Sequence, residues 1–212
     1  MSPTLPTLKL TYFNVSMRGE PARLALTIGG IPFEDERING ESWPALKSTT
    51  PFGQLPFLTV NGTTRVAQSG GILRYAGALA NLYPCTDPLK AALVDQVVFH
   101  VDDISNAVYC TIHESDAAKK SLARKTLAES KWPQMFASLE RVITQHSGGK
   151  WAVGDSMTVA DIQIYVIVSL ISSGLWDGIP TDLTEKYSKV HAIYKAVQSH
   201  PKVVEWEAAH KK

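Results

Sequence analysis

Two stretches of this chain combine residue types and spacing that suit the binding of a short peptide. In the first, Gln54-Leu55-Pro56 precedes an apolar run, Phe57-Leu58-Thr59-Val60. Pro56 has no N–H and stands where a strand should begin, so a cis Leu55-Pro56 bond there would turn the Leu55 main chain outward. An outward N–H and C=O pair with an extended peptide as a neighbouring strand does. In the second, Gln68-Ser69 heads a helical pattern, with Ser69 the expected N-cap. Free N–H groups and the positive end of the helix dipole there suit a carboxylate. Peptide pairing beside a carboxylate pocket points to a small acidic peptide.

Tyr12 stands near the C-terminal end of a strand-like run from Leu8 to Phe13. A phenol pKa near 10 keeps its hydroxyl protonated at neutral pH and able to donate; packing with a satisfied hydroxyl is the ordinary alternative. Arg18 follows, either as a positive charge for the site or as a helix-flanking surface charge paired with Glu20. Trp43 and Lys47 stand one helical turn apart and can share a face, where an indole N–H and an ammonium suit a carboxylate; plain surface placement explains them too. Asp102-Asp103 lies inside a long helical stretch, and adjacent helical residues point about 100° apart, so at most one faces a given site. Thr158-Val159-Ala160-Asp161 is a helix-capping pattern, structural in purpose. The 6 histidines show no ligand spacing, and Cys85 and Cys110 form neither a metal spacing nor a redox pair, so no metal site is expected.

Alternating elements must position these groups. Strands are expected near 8–13, 33–38, 56–60 and 63–67, and helices near 20–29, 42–48 and 69–80. Asn61-Gly62 between two short strands is a hairpin signal, which makes the last pair antiparallel. Tyr83 to Pro88 reads as a linker. Beyond it the pattern is helical, roughly 89–116, 118–146, 158–173, 183–198 and 200–209, broken at Gly148-Gly149 and Ile179-Pro180.

With 212 residues and 44% hydrophobic content, the chain can bury a core in one large or two small domains. A net charge of +1 with scattered Lys and Arg gives no basic face, so nucleic acid is not an expected partner. The start, Met1 to Pro6, lacks a charged leader and apolar core and is not expected to be a secretory signal. Val159 to Leu175 is interrupted by Asp161, Gln163, Ser169 and Ser172, which favours a buried helix over a membrane span of about 20 apolar residues. Two unpaired cysteines suit a reducing, cytoplasmic setting.

Four local patterns, in order along most of the chain, resemble the cytosolic glutathione S-transferases, nearest the sigma class. They are Tyr12-Phe13 with Arg18 and Glu20; Trp43-Pro44-Ala45-Leu46-Lys47; Pro51-Phe52-Gly53-Gln54-Leu55-Pro56 with Gln68-Ser69; and Gly154-Asp155-Ser156-Met157-Thr158-Val159-Ala160-Asp161. The resemblance implies an α/β thioredoxin-like domain over residues 1–83, a linker at 84–88, and an all-α helical domain over 89–212 with the electrophile pocket and dimer contacts. It implies an enzyme of detoxification type in which Tyr12 donates to the glutathione thiolate, which attacks a small apolar electrophile. A free thiol has a pKa near 8.5, and one charge-assisted hydrogen bond of roughly 1.5–3 kcal/mol lowers it by one to two units.

Further roles follow from the same resemblance. Arg18 either raises the positive potential around the sulfur, acting through the Tyr12 hydroxyl, or is a surface charge. Ser16, the minor candidate for thiol activation, stands where sigma-class chains often carry arginine. Phe13, Trp43, Lys47, Gln54, Leu55 and Pro56 are assigned to glutathione, its cysteinylglycine half above all, and Gln68 and Ser69 to the γ-glutamyl carboxylate. Gly70-Gly71 departs from the usual small residue plus alanine, a helix cost of about 1 kcal/mol per glycine. In a homodimer Asp103 reaches the partner's glutathione amine while Asp102 supports the Arg18 region. Met17, Ile104, Val108 and Tyr109, with Phe13, are either electrophile-pocket walls or helix packing. Glutathione is a co-substrate, and no metal or organic cofactor is implied. A thiol–disulfide reductase is disfavoured, because no cysteine lies between Tyr12 and Ser16. The alternatives are a glutathione-dependent prostaglandin isomerase and, from another class, a non-enzymatic crystallin-like protein or carrier of apolar ligands.

Overall fold

The computed structural model describes residues 5–210. Most of the segment read as carrying no secretory signal, residues 1–4, lies outside the described residues. Main-chain contacts divide the chain into two units, residues 1–85 with 201–212, and residues 86–200.

The first unit is built on four strands, β1 (Leu8–Phe13), β2 (Glu34–Ile38), β3 (Phe57–Val60) and β4 (Thr64–Ala67), in the order β2-β1-β3-β4. β1 and β2 are parallel, which needs a crossover, and α1 (Glu20–Ile28) supplies it. β3 is antiparallel to both β1 and β4. The expected hairpin forms: Asn61 and Gly62 take φ of 51° and 73°, as a primed turn requires, and Thr63 N–H closes it on the Val60 carbonyl. Along β1, Leu8, Leu10 and Tyr12 alternate onto one buried face. Leu24 and Leu26 of α1, Leu58 of β3, and Ile72 and Leu73 of α3 (Ser69–Leu79) are likewise buried in this unit. The short helix α2 (Trp43–Lys47) precedes β3.

The second unit is helical: α4 (Pro88–Tyr109), α5 (Ala117–Thr126), a π-helical turn (Leu127–Lys131), α6 (Trp132–His146), α7 (Val159–Ser172) and α8 (Ser188–Gln198). α7 is buried on nearly every side. Three stretches differ from the sequence reading. The helix expected over 118–146 passes through the π-helical turn, because Pro133 has no N–H and its ring crowds the carbonyl four residues back; Trp132 N–H bonds Leu127 instead, five residues back. The helix expected from 183 begins at Ser188, where the Glu140 carboxylate of α6 accepts from Lys189 N–H at 2.8 Å and Val190 N–H at 3.0 Å. The helix expected to reach 116 ends at Tyr109.

The last helix, α9 (Pro201–Ala209), follows the helices after Leu89 in sequence and packs on α1 in the first unit. Among the described residues no helix is long and apolar enough to cross a membrane.

Candidate functional site

β1 carries Tyr12 to the point where the chain turns into α1. Its ring is buried, and Gly19, the N-cap of α1, lies against it: a Cβ at Gly19 would stand 2.6 Å from Tyr12 Cδ1, so only glycine lets the turn close on the ring. Burial pushes the Tyr12 hydroxyl above its usual range, opposed by a hydrogen bond from the Arg18 main-chain N–H and by the charges of Arg18 and Arg23. The hydroxyl therefore stays protonated at neutral pH. With Arg18 N–H donating to its oxygen, the phenol proton is left for another acceptor. The Arg18 side chain is exposed.

Sequence reasoning missed the residue that fixes this turn. Arg23, fully buried in α1, donates from Nε to Asp35 at 2.8 Å and from Nη1 to Glu20 at 3.0 Å. The same guanidinium donates to the carbonyls of Val15 at 2.9 Å and Phe13 at 3.2 Å, and lies 5.7 Å from the Tyr12 ring centroid. The available signal was Glu20 three residues before Arg23, with Asp35 on the next strand. Glu20, weighed from sequence as a partner of Arg18, has one oxygen on Arg23 and the other on Trp206.

Phe13 sits between two other rings, 5.7 Å from Tyr12 and 6.0 Å, edge-on, from Trp43. Lys47, at the end of α2, runs beside Gly53, whose added Cβ would meet Lys47 Cε at 3.6 Å. The Leu55-Pro56 bond is cis, as expected. Sheet pairing begins at Phe57, opposite Thr11 and Ala67, so the Leu55 main chain lies outside the strand register. Gln68 Nε2 donates to Gln54 Oε1 at 3.4 Å. Gln68 and not Ser69 is the N-cap of α3, with φ of 71° and no side-chain capping bond. The first bond of this helix runs from Ile72 N–H to the Gln68 carbonyl, so the N–H groups of Ser69, Gly70 and Gly71 precede it. A Cβ at Gly71 would meet no atom within 4 Å, so packing does not demand that glycine.

In the helical unit Asp103 is exposed, and Asp102 accepts from Gln163 Nε2 at 2.7 Å. Ile104 and Val108 are fully enclosed, and the Ile104 carbonyl accepts from the Trp132 indole at 3.1 Å. Of the two readings left open for them, packing fits and a pocket wall does not. Tyr109 is half-buried, edge-on to Trp176 at 6.2 Å, and Met17 in the first unit is half-buried. The expected capping box forms at Thr158 and Asp161. A cavity of about 400 Å³ opens elsewhere on the first unit, over Lys9, Glu34, Glu36 and Arg65. There Lys9 donates to Glu36 at 3.0 Å, and none of the lining residues belongs to the Tyr12 group.

The family model for the glutathione S-transferase N-terminal domain matches residues 8–78, and that for the C-terminal domain matches residues 102–210. The chain belongs to the glutathione S-transferase family. It is 32% identical to hematopoietic prostaglandin D synthase of Gallus gallus, over 95% of this chain and 96% of that one. It is 33% identical to glutathione S-transferase 1 of Ascaris suum, over 96% and 97%. Among solved structures, prostaglandin synthase D of Nilaparvata lugens superposes with a TM-score of 0.84 at 32% identity, covering 96% of this chain and 98% of that one. The transferase fold, a thioredoxin-like unit followed by helices, is the one the sequence resemblance implied.

Proposed function

We infer that this transferase, sigma-class-like by its local patterns, joins glutathione to small apolar electrophiles, with Tyr12 as the group that holds the thiolate. The observation that carries this is the place of Tyr12, buried near the end of β1 with its ring against Gly19, where the chain turns into α1. The glutathione thiol gives its proton to solvent, the Tyr12 O–H donates to the sulfur, and the sulfur forms a bond to the electrophilic carbon as its leaving group departs. Trp43, Lys47, Gln54 and Leu55 hold the cysteinylglycine half, and Phe13 and Pro56 also contact glutathione. Gln68 and Ser69, at the N-terminus of α3, hold the γ-glutamyl carboxylate. Met17 and Tyr109 border the electrophile. Glutathione is the only co-substrate this chemistry needs.

The working form is a cytoplasmic homodimer in which the exposed Asp103 serves the neighbouring subunit's glutathione amine. The domains divide functionally as the resemblance implies, glutathione on residues 1–83 and the electrophile on the helices after the linker. Relatives named prostaglandin D synthase support a second reading, isomerisation of a prostaglandin endoperoxide by the same thiolate. Retention on immobilised glutathione, followed by conjugation and isomerisation assays, separates the cases. Conjugation is the expected result. Isomerisation alone selects the second reading, and retention without turnover selects a carrier.

A further inference from the structure

We propose that Trp206, on the C-terminal helix α9, is a positioning residue for the thiolate site: its indole N–H holds Glu20, Glu20 holds Arg23, and Arg23 pins the turn that brings Arg18 onto Tyr12. The proposal rests on the transferase reading. Trp206 Nε1 donates to Glu20 Oε1 at 2.7 Å, across 186 residues of sequence. Glu20 is 5% exposed, and a carboxylate buried to that degree is costly unless its oxygens are paired. Arg23 serves Oε2 and Trp206 serves Oε1, so removing the indole N–H leaves one oxygen without its donor.

The indole is itself held. Phe33 stacks on it at 6.1 Å, His210 at 3.9 Å, and the Arg37 guanidinium lies 5.8 Å from its ring centroid. Arg37 also donates to Asp35 at 2.6 Å, and Asp35 accepts from Arg23 at 2.8 Å. The contacts thus close a ring: Trp206, Glu20, Arg23, Asp35, Arg37 and back to the Trp206 face. Arg23 is the member that reaches the site, through the carbonyls of Phe13 and Val15 on either side of Asn14. A change in Glu20 is transmitted to the Tyr12–Arg18 turn through these two bonds. None of the residues in the ring needs to touch glutathione.

Trp206→Phe keeps an aromatic ring and removes the N–H. Thiolate absorbance of the enzyme–glutathione complex, titrated against pH, should show the bound thiol pKa rising by about half to one unit. Turnover below neutral pH should fall about three- to tenfold, with KM for glutathione within about twofold. Phe33→Leu loosens the packing of the same indole but keeps its hydrogen bond, so its melting temperature should drop while the thiol pKa stays at the wild-type value. If Trp206→Phe does not fold, Glu20→Gln, which weakens the hold on Arg23 from the other side, should give the same rise. A folded Trp206→Phe enzyme with lower melting temperature and an unchanged thiol pKa would reduce Trp206 to packing and overturn the proposal. A wild-type complex whose thiol titrates like free glutathione would instead fail the transferase reading, and the proposal with it.

Discussion

The N-termini of α3 and α7 meet the same physical problem, N–H groups with no partner in the helix, and solve it in opposite ways. At α7 the chain supplies its own anion. The Asp161 carboxylate accepts from Thr158 N–H and Ala152 N–H, each at 2.7 Å, and from the Thr158 hydroxyl at 3.1 Å, while that hydroxyl accepts from Ala160 N–H. Everything is sealed from water. At α3 no side chain caps the helix, two glycines fill the first turn, and Gln68 holds a left-handed φ of 71° that a glutamine adopts only at a cost. A terminus that satisfies itself serves the fold. One that stays open and carries strain fits the carboxylate-binding role proposed for it.

Asp161→Ala should have the largest effect, because three buried donors lose their acceptor at once. Thermal or denaturant unfolding should show a loss of about 3–5 kcal/mol, with the rate per folded molecule unchanged. A loss of rate per folded molecule would make Asp161 part of the site and erase the contrast.

The pH dependence of the same group comes next. Burial pushes the Asp161 carboxyl from 3.8 up to about 6, against the hydrogen bonds it accepts. A folded-state pKa above the unfolded one favours folding at low pH, so this contribution is full below about pH 4 and is lost as pH rises through about 6; it amounts to about 3 kcal/mol. Asp161→Asn keeps an accepting oxygen and does not titrate. Unfolding measured at several pH values should show the wild type losing stability relative to this variant between about pH 4 and 6. Parallel curves would mean that the sealed carboxylate is charged at no cost.

At α3 the sign should reverse. Gln68→Gly removes the left-handed strain, so stability should hold or rise by up to about 1 kcal/mol, while loss of the amide raises KM for glutathione about five- to tenfold. A drop in melting temperature with unchanged KM would class α3 with α7. The smallest effect is expected at Lys47, an exposed cation on α2. Lys47→Ala should raise KM about two- to fivefold, and added salt should shrink the difference.

Residues whose roles are local were legible before folding. The Thr158 to Asp161 spacing, the Asn61-Gly62 turn and the strand over Leu8–Phe13 each depend on a few neighbouring residues, and each forms as read. What the sequence hid is long-range. The Ala152 N–H on Asp161 makes that cap worth more than the roughly 0.5–2 kcal/mol of an ordinary one. Glu140 sets the start of α8 from another helix, and Trp206 reaches Glu20 from the far end of the chain. Ile104 and Val108 were ambiguous for a related reason: an apolar residue on a helix reads the same whether it faces a pocket or a neighbouring helix. Ser69 was placed one position too far into the role of N-cap, because a glutamine with positive φ is not the residue that propensity puts there.

The role proposed for the Tyr12 hydroxyl is to hold the glutathione thiolate. Titrating bound glutathione by thiolate absorbance, in wild type and in Tyr12→Phe, tests it most directly. In the wild type the bound thiol should titrate one to two units below the free value of about 8.5. In Tyr12→Phe, with glutathione still bound, the pKa should return toward the free value and turnover should fall about ten- to a hundredfold. The same depressed pKa and the same rate in Tyr12→Phe would take the role from Tyr12 and move it to Ser16 or Arg18.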